Sequence, residues 1–290
     1  MTYRELYDYG VGELKLADIT EAELDARLLL EYVCRTDRNT LLVHGESVRS
    51  PIEEEFYKIT IGKRKQHIPL QHITGEQEFM GLVFKVNEHT LIPRQDTEIL
   101  VEEAMRYLGD GMRILDMCTG SGCILLSLLK YSNECEGIGI DISEKALLVA
   151  KENAERLRLD ATFLCGDLFE PLAGFVSDKT RDRLFDIIIS NPPYIPSGVI
   201  QELMPEVRDY EPLAALDGME DGLYFYREIV ESAPLYMRKS GMLFLEIGCD
   251  QAEAVSSILR EKGFGKIEVI KDYAGLDRVI KAELGGSVKN

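Results

Sequence analysis

The chain has 290 residues, of which 45% are hydrophobic and 29% are charged. This composition is typical of a globular protein with a sizeable core, and it excludes a disordered chain or a small disulfide-stapled scaffold. Asp and Glu number 51 against 33 Lys and Arg, which gives a net charge of -18. Because such a charge repels a phosphate backbone, nucleic acid is disfavoured as the main partner.

The sequence begins without a basic segment followed by an apolar run, and no stretch of about 18 apolar residues occurs in it. We therefore expect a cytoplasmic protein with no membrane partner. The six cysteines form no C-x-x-C pair, which favours reduced structural thiols. The spacing of His67 and His72 fits neither a helical pair of metal ligands nor a zinc finger, so we expect no metal site.

Residues 1–74 have the pattern of a helical domain. Thr20-Glu21-Ala22-Glu23 matches a capping box, and apolar residues follow it at helical spacing. Ser50-Pro51 predicts a second helix start, because proline is favoured at the first helical position and the acidic residues after it suit the positive end of the helix dipole. These signals predict a small helical bundle.

The pattern changes after residue 74. Residues 75–92 contain Gly75 and Gly81 among alternating apolar residues, which predicts a β-hairpin linker. Over residues 93–290, short apolar runs alternate with longer segments of helical pattern. This alternation is typical of an α/β domain with a mostly parallel sheet.

Polar residues end four of the predicted strands at intervals of about 25 residues: Asp116, Asp141, Asp167 and Asn191. Each interval is about one β-α-β step. Ligands of open α/β sheets bind outside the carboxyl ends of the strands, so we expect these four side chains to converge on one crevice.

A glycine-containing turn, Cys118-Thr119-Gly120-Ser121-Gly122, follows the first of these strands and opens a helix. Glycines allow a sharp turn and a close approach of the backbone to a ligand, although a plain strand-to-helix turn has the same pattern. Leu125 stands where a dinucleotide-binding motif has its third glycine, and the lysine of a phosphate-binding loop is absent.

Asp141 lies about 20 residues after this turn, where a carboxylate can accept both ribose hydroxyls of a nucleoside. It could instead cap the next helix, although Ser143 could do so in its place. Asp167 could accept from an adenine amino group while Leu168 packs on the ring, and the alternative for Asp167 is a loop cap.

Asn191-Pro192-Pro193-Tyr194 is the most specific signal. Consecutive prolines fix the backbone and remove two donors, which leaves a rigid ledge of acceptors. A substrate NH2 group could donate to the Asn191 side-chain oxygen and to the Pro192 carbonyl, while Tyr194 stacks on a flat substrate. The alternative is a proline stop after a strand.

With these motifs the chain resembles the S-adenosylmethionine-dependent release-factor glutamine methyltransferases of the HemK/PrmC type. The resemblance covers nearly the whole chain, and its further motifs are Leu28-Leu29-Leu30, Pro69 to Gly75, Leu91-Ile92-Pro93-Arg94, Asp96-Thr97-Glu98, Tyr210-Glu211-Pro212, Glu220 to Leu223, Leu245-Glu246-Ile247-Gly248 and Asp277-Arg278-Val279. Two positions depart from it, since Cys118 replaces the first glycine of G-T-G-S-G and Gln95 replaces a proline that often follows Arg94. A residue with a Cβ rarely adopts a positive φ, so we expect Cys118 to contact the cofactor only through its backbone.

The resemblance implies a Rossmann-like domain with a seven-stranded, mostly parallel, doubly wound sheet, preceded by a small helical domain. Because this helical bundle is separate and joined by a hairpin, we hypothesise that it holds the release factor. The resemblance implies methyl transfer from S-adenosylmethionine, leaving S-adenosylhomocysteine, to the glutamine side-chain nitrogen in the Gly-Gly-Gln loop of peptide chain release factors. It also implies that the cofactor is bound by Cys118, Thr119, Gly120, Ser121, Gly122, Asp141, Asp167, Leu168 and Asn191. The resemblance implies that the substrate is contacted by Asn191, Pro192, Pro193 and Tyr194. Of these, the implied catalytic residues are Asn191, Pro192 and Tyr194.

Three other functions compete with this interpretation. An adenine-N6 methyltransferase of nucleic acid would use the same ledge, but the charge of -18 argues against it because the basic run is limited to Lys63-Arg64-Lys65. A non-catalytic cofactor-binding module would not need the ledge. A glutamine methyltransferase of a ribosomal protein remains open, because its acceptor is the same side chain.

Overall fold

Five helices build the N-terminal part of the chain in the computed structural model, which describes residues 1–173 and 184–285. They are α1 (Tyr3–Lys15), α2 (Ala22–Cys34), α3 (Arg38–Val43), α4 (Pro51–Arg64) and α5 (Leu70–Thr74). The predicted start of α4 is confirmed, because Ser50 caps it in a capping box with Glu53. The box predicted at Thr20 is wrong. Helix α2 begins one residue later than that box requires, and its cap residue, Glu21, makes no side-chain capping bond.

The core of the helical unit lies between α1, α2 and α4. Tyr57 of α4 is fully buried, and its hydroxyl donates to the Ala26 carbonyl at 3.0 Å. A Cβ at Gly10 of α1 would lie 2.0 Å from that hydroxyl. Gly10 therefore allows α1 to pack directly on α4.

The remaining elements alternate between strands and helices. The strands are β1 (Glu76–Phe79), β2 (Leu82–Lys85), β3 (Arg113–Met117), β4 (Glu136–Asp141), β5 (Thr162–Cys165), β6 (Phe185–Ser190), β7 (Met237–Glu246), β8 (Phe264–Lys271) and β9 (Asp277–Leu284). The helices are α6 (Gln95–Met105), α7 (Cys123–Lys130), α8 (Glu144–Leu157), α9 (Pro205–Arg208), α10 (Leu213–Leu216), α11 (Tyr224–Ser232) and α12 (Ala252–Glu261).

Strands β3 to β9 form one seven-stranded sheet in the order β5-β4-β3-β6-β7-β9-β8. The first five strands of this order are parallel, and β9 is antiparallel to both β7 and β8. One buried apolar cluster covers each face of the sheet, as expected for parallel strands flanked by helices. The predicted fold, a helical domain followed by a mostly parallel seven-stranded sheet, is confirmed.

Strands β1 and β2 form a separate hairpin that packs on the α/β unit. The Met80 amide donates to Glu98 of α6, and the Met80 carbonyl accepts from the Tyr131 hydroxyl. The Lys85 amide donates to Asn153 of α8. The hairpin is thus anchored at both its turn and its second strand.

The segment Met204–Tyr210 packs with the helical unit, although its place in the sequence is within 93–290. Arg64 donates to Glu206 of this segment and to Asp25 of α2, and it is 4% exposed. The Tyr210 hydroxyl donates to the Gln66 carbonyl at 2.6 Å. No local pattern in the sequence predicts this packing, because it depends on contacts between residues more than 140 positions apart.

No helix in the described ranges combines the length and apolarity that a membrane crossing needs.

Candidate active site

A cavity of about 700 Å³ opens at the carboxyl ends of β3, β4, β5 and β6. This is the edge of the sheet where open α/β folds bind ligands. Most residues predicted for the site line the cavity: Cys118, Thr119, Gly120, Ser121, Asp141, Asp167, Leu168, Asn191 and Pro193. Gly122, Pro192 and Tyr194 are outside this lining.

Asp116 does not reach the cavity, so the prediction that all four strand-end residues converge was wrong at this position. It lies inside β3, before the final residue of the strand, and its side chain is fully buried. Its Oδ2 accepts from the Thr119 hydroxyl at 2.6 Å. Burial raises the pKa of Asp116 to about 7. Asp116 therefore supports the turn after β3.

The turn after β3 takes left-handed backbone conformations at Gly120 (φ 54°) and Gly122 (φ 79°). A Cβ at Gly120 would meet no atom within 4 Å, whereas one at Gly122 would lie 3.2 Å from Ala150 of α8. Gly120 thus leaves room beside the cavity. Gly122 instead allows α7 to pack closely on α8, which explains why it does not line the cavity.

Cys118 has a φ of 58°, so it adopts the left-handed conformation in spite of its Cβ. This conformation costs an ordinary residue about 1–2 kcal/mol. Burial raises the pKa of the Cys118 thiol, and nearby Asp141 and Asp116 raise it further. The raised pKa disfavours the nucleophilic thiolate, and a backbone contact remains the predicted role of this residue.

Asp141 ends β4 and is held by two backbone amides. Gly120 donates to Oδ2 at 2.8 Å, and Ser143 donates to Oδ1 at 2.9 Å. Burial raises the pKa of Asp141, and these two hydrogen bonds oppose that shift. Ser143 caps α8, so Asp141 is not the helix cap, and each of its oxygens retains a lone pair for a further donor.

Asp167 and Leu168 follow β5 and form another part of the cavity wall. The Asp167 carbonyl accepts from the Glu170 amide at 2.9 Å, and Leu168 has a φ of 45°. The Leu168 side chain is partly buried against the core on one face of the sheet. This position is compatible with packing against a flat ring in the cavity.

Asn191 follows β6, and its side-chain NH2 donates to the Thr97 hydroxyl at 3.3 Å. Thr97 belongs to the first turn of α6 and also lines the cavity. Since the NH2 group is used in this bond, Oδ1 is the atom of Asn191 available to accept from a ligand. Asn191 is therefore arranged as a hydrogen-bond acceptor.

The two prolines after Asn191 are buried, and Pro193 lines the cavity. No described backbone N–H donates to the Pro192 carbonyl, which agrees with an acceptor ledge. The Tyr194 hydroxyl donates to Oε1 of Glu246 at 3.4 Å, and the ring packs against a core cluster. This contact places Tyr194 beside β7, and its stacking on a substrate stays a prediction.

Sequence reasoning assigned no role to Glu246, Thr97 or Arg94. Glu246 is a carboxylate within an otherwise apolar buried strand end, a signal that could have identified it. Arg94 lines the cavity and pairs with Glu211 at 2.6 Å, and the Glu211 side chain is 1% exposed. This ion pair fixes the entry to α6 beside the cavity.

The cavity has the donors and acceptors that a nucleoside-containing cofactor needs. Asp141 offers carboxylate oxygens at one strand end, Gly120 leaves open space next to it, and Leu168 supplies an apolar surface at another strand end. Within residues 1–173 and 184–285, no three His, Cys, Asp or Glu side chains are grouped as metal ligands.

Two family models match the chain. Residues 5–75 match the PrmC N-terminal domain, and residues 108–229 match a methyltransferase domain.

Similar full-length proteins are known from several bacteria. The release factor glutamine methyltransferase of Geobacter sulfurreducens is 40% identical over 98% of this chain and 97% of its own length. That of Clostridium acetobutylicum is 43% identical over 90% of this chain and 91% of its own. Among solved structures, a methyltransferase from Pyrococcus furiosus has a TM-score of 0.52 at 18% identity, covering 71% of this chain and 90% of that one. This last likeness concerns the fold alone.

Proposed function

The chain belongs to the release factor glutamine methyltransferase family, and we propose that it methylates peptide chain release factors in the cytoplasm. The methyl acceptor is the side-chain amide nitrogen of the glutamine in the Gly-Gly-Gln loop, and the modification tunes translation termination. The observation that carries this proposal is the orientation of Asn191, whose NH2 donates to Thr97 and whose oxygen is left for an incoming NH2 group.

S-adenosylmethionine, when bound, supplies a methyl group on a positively charged sulfur and leaves as S-adenosylhomocysteine. Asp141 would accept from the ribose hydroxyls, and Asp167 and Leu168 would hold the adenine. The backbone from Cys118 to Ser121 would line the rest of the cofactor. Gly122 supports this wall by packing α7 against α8.

An amide nitrogen is a weak nucleophile, because its lone pair is delocalised into the carbonyl. Asn191 Oδ1 and the Pro192 carbonyl would each accept one N–H of the substrate amide, which points the nitrogen at the methyl group. Pro193 closes the wall beside it. A base is not needed beforehand, since the methylated nitrogen is strongly acidic and loses its proton to water.

The helical unit of residues 1–74 is proposed to hold the release factor. A chain that lacks these residues should lose methyl transfer to the intact release factor while it keeps cofactor affinity. A short peptide with the Gly-Gly-Gln loop serves as the control substrate, because it bypasses the helical unit. Unchanged turnover of the intact release factor by the shortened chain would contradict this role.

The substrate is identified by incubating the purified protein with methyl-labelled S-adenosylmethionine and unmethylated release factor. A release factor with the loop glutamine changed to alanine, ribosomal protein and DNA are the parallel samples. We expect label on the intact release factor alone. Label on ribosomal protein or DNA instead would replace the proposed substrate, and no binding of the cofactor would contradict methyl transfer itself.

A further inference from the structure

The backbone that follows the two prolines is bound by a glutamine from a distant loop. Gln251, directly before α12, is 8% exposed, and its side-chain NH2 donates to the Tyr194 carbonyl at 3.0 Å. The same NH2 donates to the Gly222 carbonyl at 3.3 Å, and Oε1 of Gln251 accepts from the Gly248 amide at 2.9 Å. Gln251 therefore joins the loops after β6 and β7 to the turn before α11.

The partners of the Gln251 amide define which of its ends is which. A backbone N–H can only donate and a backbone carbonyl can only accept. Gly248 must therefore face the oxygen, while Tyr194 and Gly222 must face the nitrogen. The Tyr226 hydroxyl also lies 3.2 Å from the oxygen. The NH2 group is thus the end of Gln251 that holds the Tyr194 carbonyl.

The acceptor ledge, residues 191–194, has few ways to be held in place by its own backbone. Proline has no backbone N–H, so neither Pro192 nor Pro193 can donate to a neighbouring element. The Pro192 carbonyl is proposed to accept from the substrate, so it does not serve as an anchor. The ledge therefore has to be fixed at its ends.

One end of the ledge is the peptide unit between Tyr194 and Ile195, and both of its polar groups are hydrogen-bonded. The Tyr194 carbonyl accepts from Gln251, and the Ile195 amide donates to the Leu216 carbonyl at 3.0 Å. Because the C=O and N–H of a trans peptide point in opposite directions, the two bonds together fix the plane of this unit. Without the Gln251 side chain, the unit keeps only the bond to Leu216.

Two glycines allow the loop before α11 to approach this end of the ledge. A Cβ at Gly222, which has a φ of 73°, would lie 2.4 Å from the Tyr194 carbonyl oxygen and 2.8 Å from Nε2 of Gln251. A Cβ at Gly218 would lie 2.8 Å from the Tyr194 backbone. A side chain at either position would therefore displace the end of the ledge.

We propose that Gln251 is a positioning residue for methyl transfer, which fixes the end of the acceptor ledge by holding the Tyr194 carbonyl. This inference rests on the proposed function, because that function assigns the ledge to the methyl acceptor. Gln251 is outside the cavity lining and does not touch the substrate. It keeps the Pro192 carbonyl, two residues before Tyr194, at the angle that the substrate N–H requires.

The first kinetic test uses Gln251→Met, which fills the space but removes the NH2. At saturating cofactor and release factor, kcat should fall about 10- to 100-fold because the acceptor is misplaced, while the cofactor Kd should change less than about twofold. Tyr226→Phe is the control, since it removes a hydroxyl beside Oε1 and leaves the bond to the Tyr194 carbonyl intact. A wild-type kcat in Gln251→Met, or an equal loss in Tyr226→Phe, would overturn the proposal.

A second variant disturbs the same contact from another loop and keeps the test informative if Gln251→Met does not fold. Gly222→Ala places a Cβ against the Tyr194 carbonyl and should also lower kcat with little change in cofactor Kd. Gly111→Ala is the matched control, because Gly111 has a φ of 70° but no atom within 4 Å of its Cβ position. A loss in Gly222→Ala no larger than that in Gly111→Ala would contradict the proposal.

A measurement without substrate separates this inference from the proposed function. Tyr194-Ile195 is the only Tyr-Ile pair in the sequence, so 13C at the tyrosine carbonyls and 15N in isoleucine give one coupled amide signal. In Gln251→Met the Tyr194 carbonyl carbon loses a donor and should shift upfield, and the Ile195 amide should exchange about 2- to 10-fold faster. Neither should change in Tyr226→Phe.

The two hypotheses then fail in different ways. An unchanged carbonyl signal in Gln251→Met would overturn the inference even if release factor is methylated. A shifted signal in a protein that does not methylate release factor would support the anchor at Tyr194 and overturn the proposed substrate alone.

Discussion

The half of the cavity proposed to bind the cofactor, around Asp141, is held by the turns after two neighbouring strands, whereas the half proposed to bind the methyl acceptor, around Asn191, depends on a side chain from another element. Asp141 is held by the amides of Gly120 and Ser143, which lie in the turns after two neighbouring strands. Asn191 is oriented by Thr97 of α6, which is 94 residues away in the sequence. Asp141 and Asn191 are therefore held in place by different residues.

This difference has a physical reason. A cofactor with many polar groups can be held by backbone amides and carboxylates, whose geometry follows from the turns themselves. A single substrate NH2 must meet acceptors at one defined angle, and an asparagine side chain can rotate away or turn over. The acceptor half therefore needs further buried residues to keep Asn191 in place.

The largest expected effect is that of Asn191→Ala on the rate. Removal of one preorganised hydrogen-bonding group in an active site costs about 100- to 1,000-fold in kcat. Single-turnover methyl transfer at saturating cofactor should fall by this factor, and calorimetry should show a much smaller change in cofactor affinity. A variant that transfers methyl groups at the wild-type rate would remove Asn191 from the mechanism.

Asp141→Ala should weaken cofactor binding and leave the methyl-transfer step largely unchanged. A hydrogen bond to a charged group contributes about 1.5–3 kcal/mol, so the cofactor Kd should rise about 10- to 150-fold. The rate at saturating cofactor should change little. The exposed Asp160 of the same domain provides the control variant Asp160→Ala. Wild-type affinity in Asp141→Ala, measured by calorimetry, would place the ribose contact elsewhere.

Asp116 is buried beneath the turn after β3. Its titration should change the free energy of unfolding with pH. Its pKa is 3.8 for an ordinary Asp and about 7 in the folded chain, so the folded state binds more protons between these values. The free energy of unfolding therefore falls as the pH rises through this window. Asp116→Asn should not show this pH dependence. The free energy of unfolding of the wild type, relative to that of Asp116→Asn, should therefore fall by about 1–3 kcal/mol from pH 5 to pH 8.

Chemical denaturation at pH 5 and pH 8 measures this difference. Asp160→Asn is the control, because Asp160 is an exposed aspartate of the same domain. Parallel profiles for the wild type and Asp116→Asn would show that Asp116 does not titrate in this range.

The smallest effect concerns the left-handed backbone of Cys118. Cys118→Gly should raise the free energy of unfolding by about 1 kcal/mol, because glycine adopts a φ of 58° without a steric penalty. Cys118→Ala keeps the Cβ and should show no such gain. Equal stabilities of the Gly and Ala variants in urea denaturation would mean that this conformation carries no strain.

The sequence predicted the fold and much of the cavity because the signals are local. Apolar runs that end in Asp141 and Asn191 mark strand ends, and the order of a doubly wound sheet then places them at one edge. The Ser50 capping box likewise depends on four consecutive residues. Such features need no knowledge of the tertiary structure.

The sequence-based predictions missed features that depend on tertiary contacts. Asp116 and Asp141 look alike in the sequence, but one lies inside its strand and the other at the end of its strand. The stacking of Tyr194 on a substrate stays a prediction, and the contact of its hydroxyl with Glu246 of β7 was not predicted. The support of Asn191 by Thr97 also could not be predicted, because the two residues are far apart in the sequence.

The central claim, that the two halves act independently, is tested most directly by a double-mutant cycle between Asn191→Ala and Asp141→Ala. The measured quantity is the second-order rate constant of methyl transfer at subsaturating cofactor. We predict that the two losses multiply, to within about 0.5 kcal/mol of additivity in free energy. A double variant no worse than Asn191→Ala alone would show that the two halves are one coupled unit and would contradict the claim.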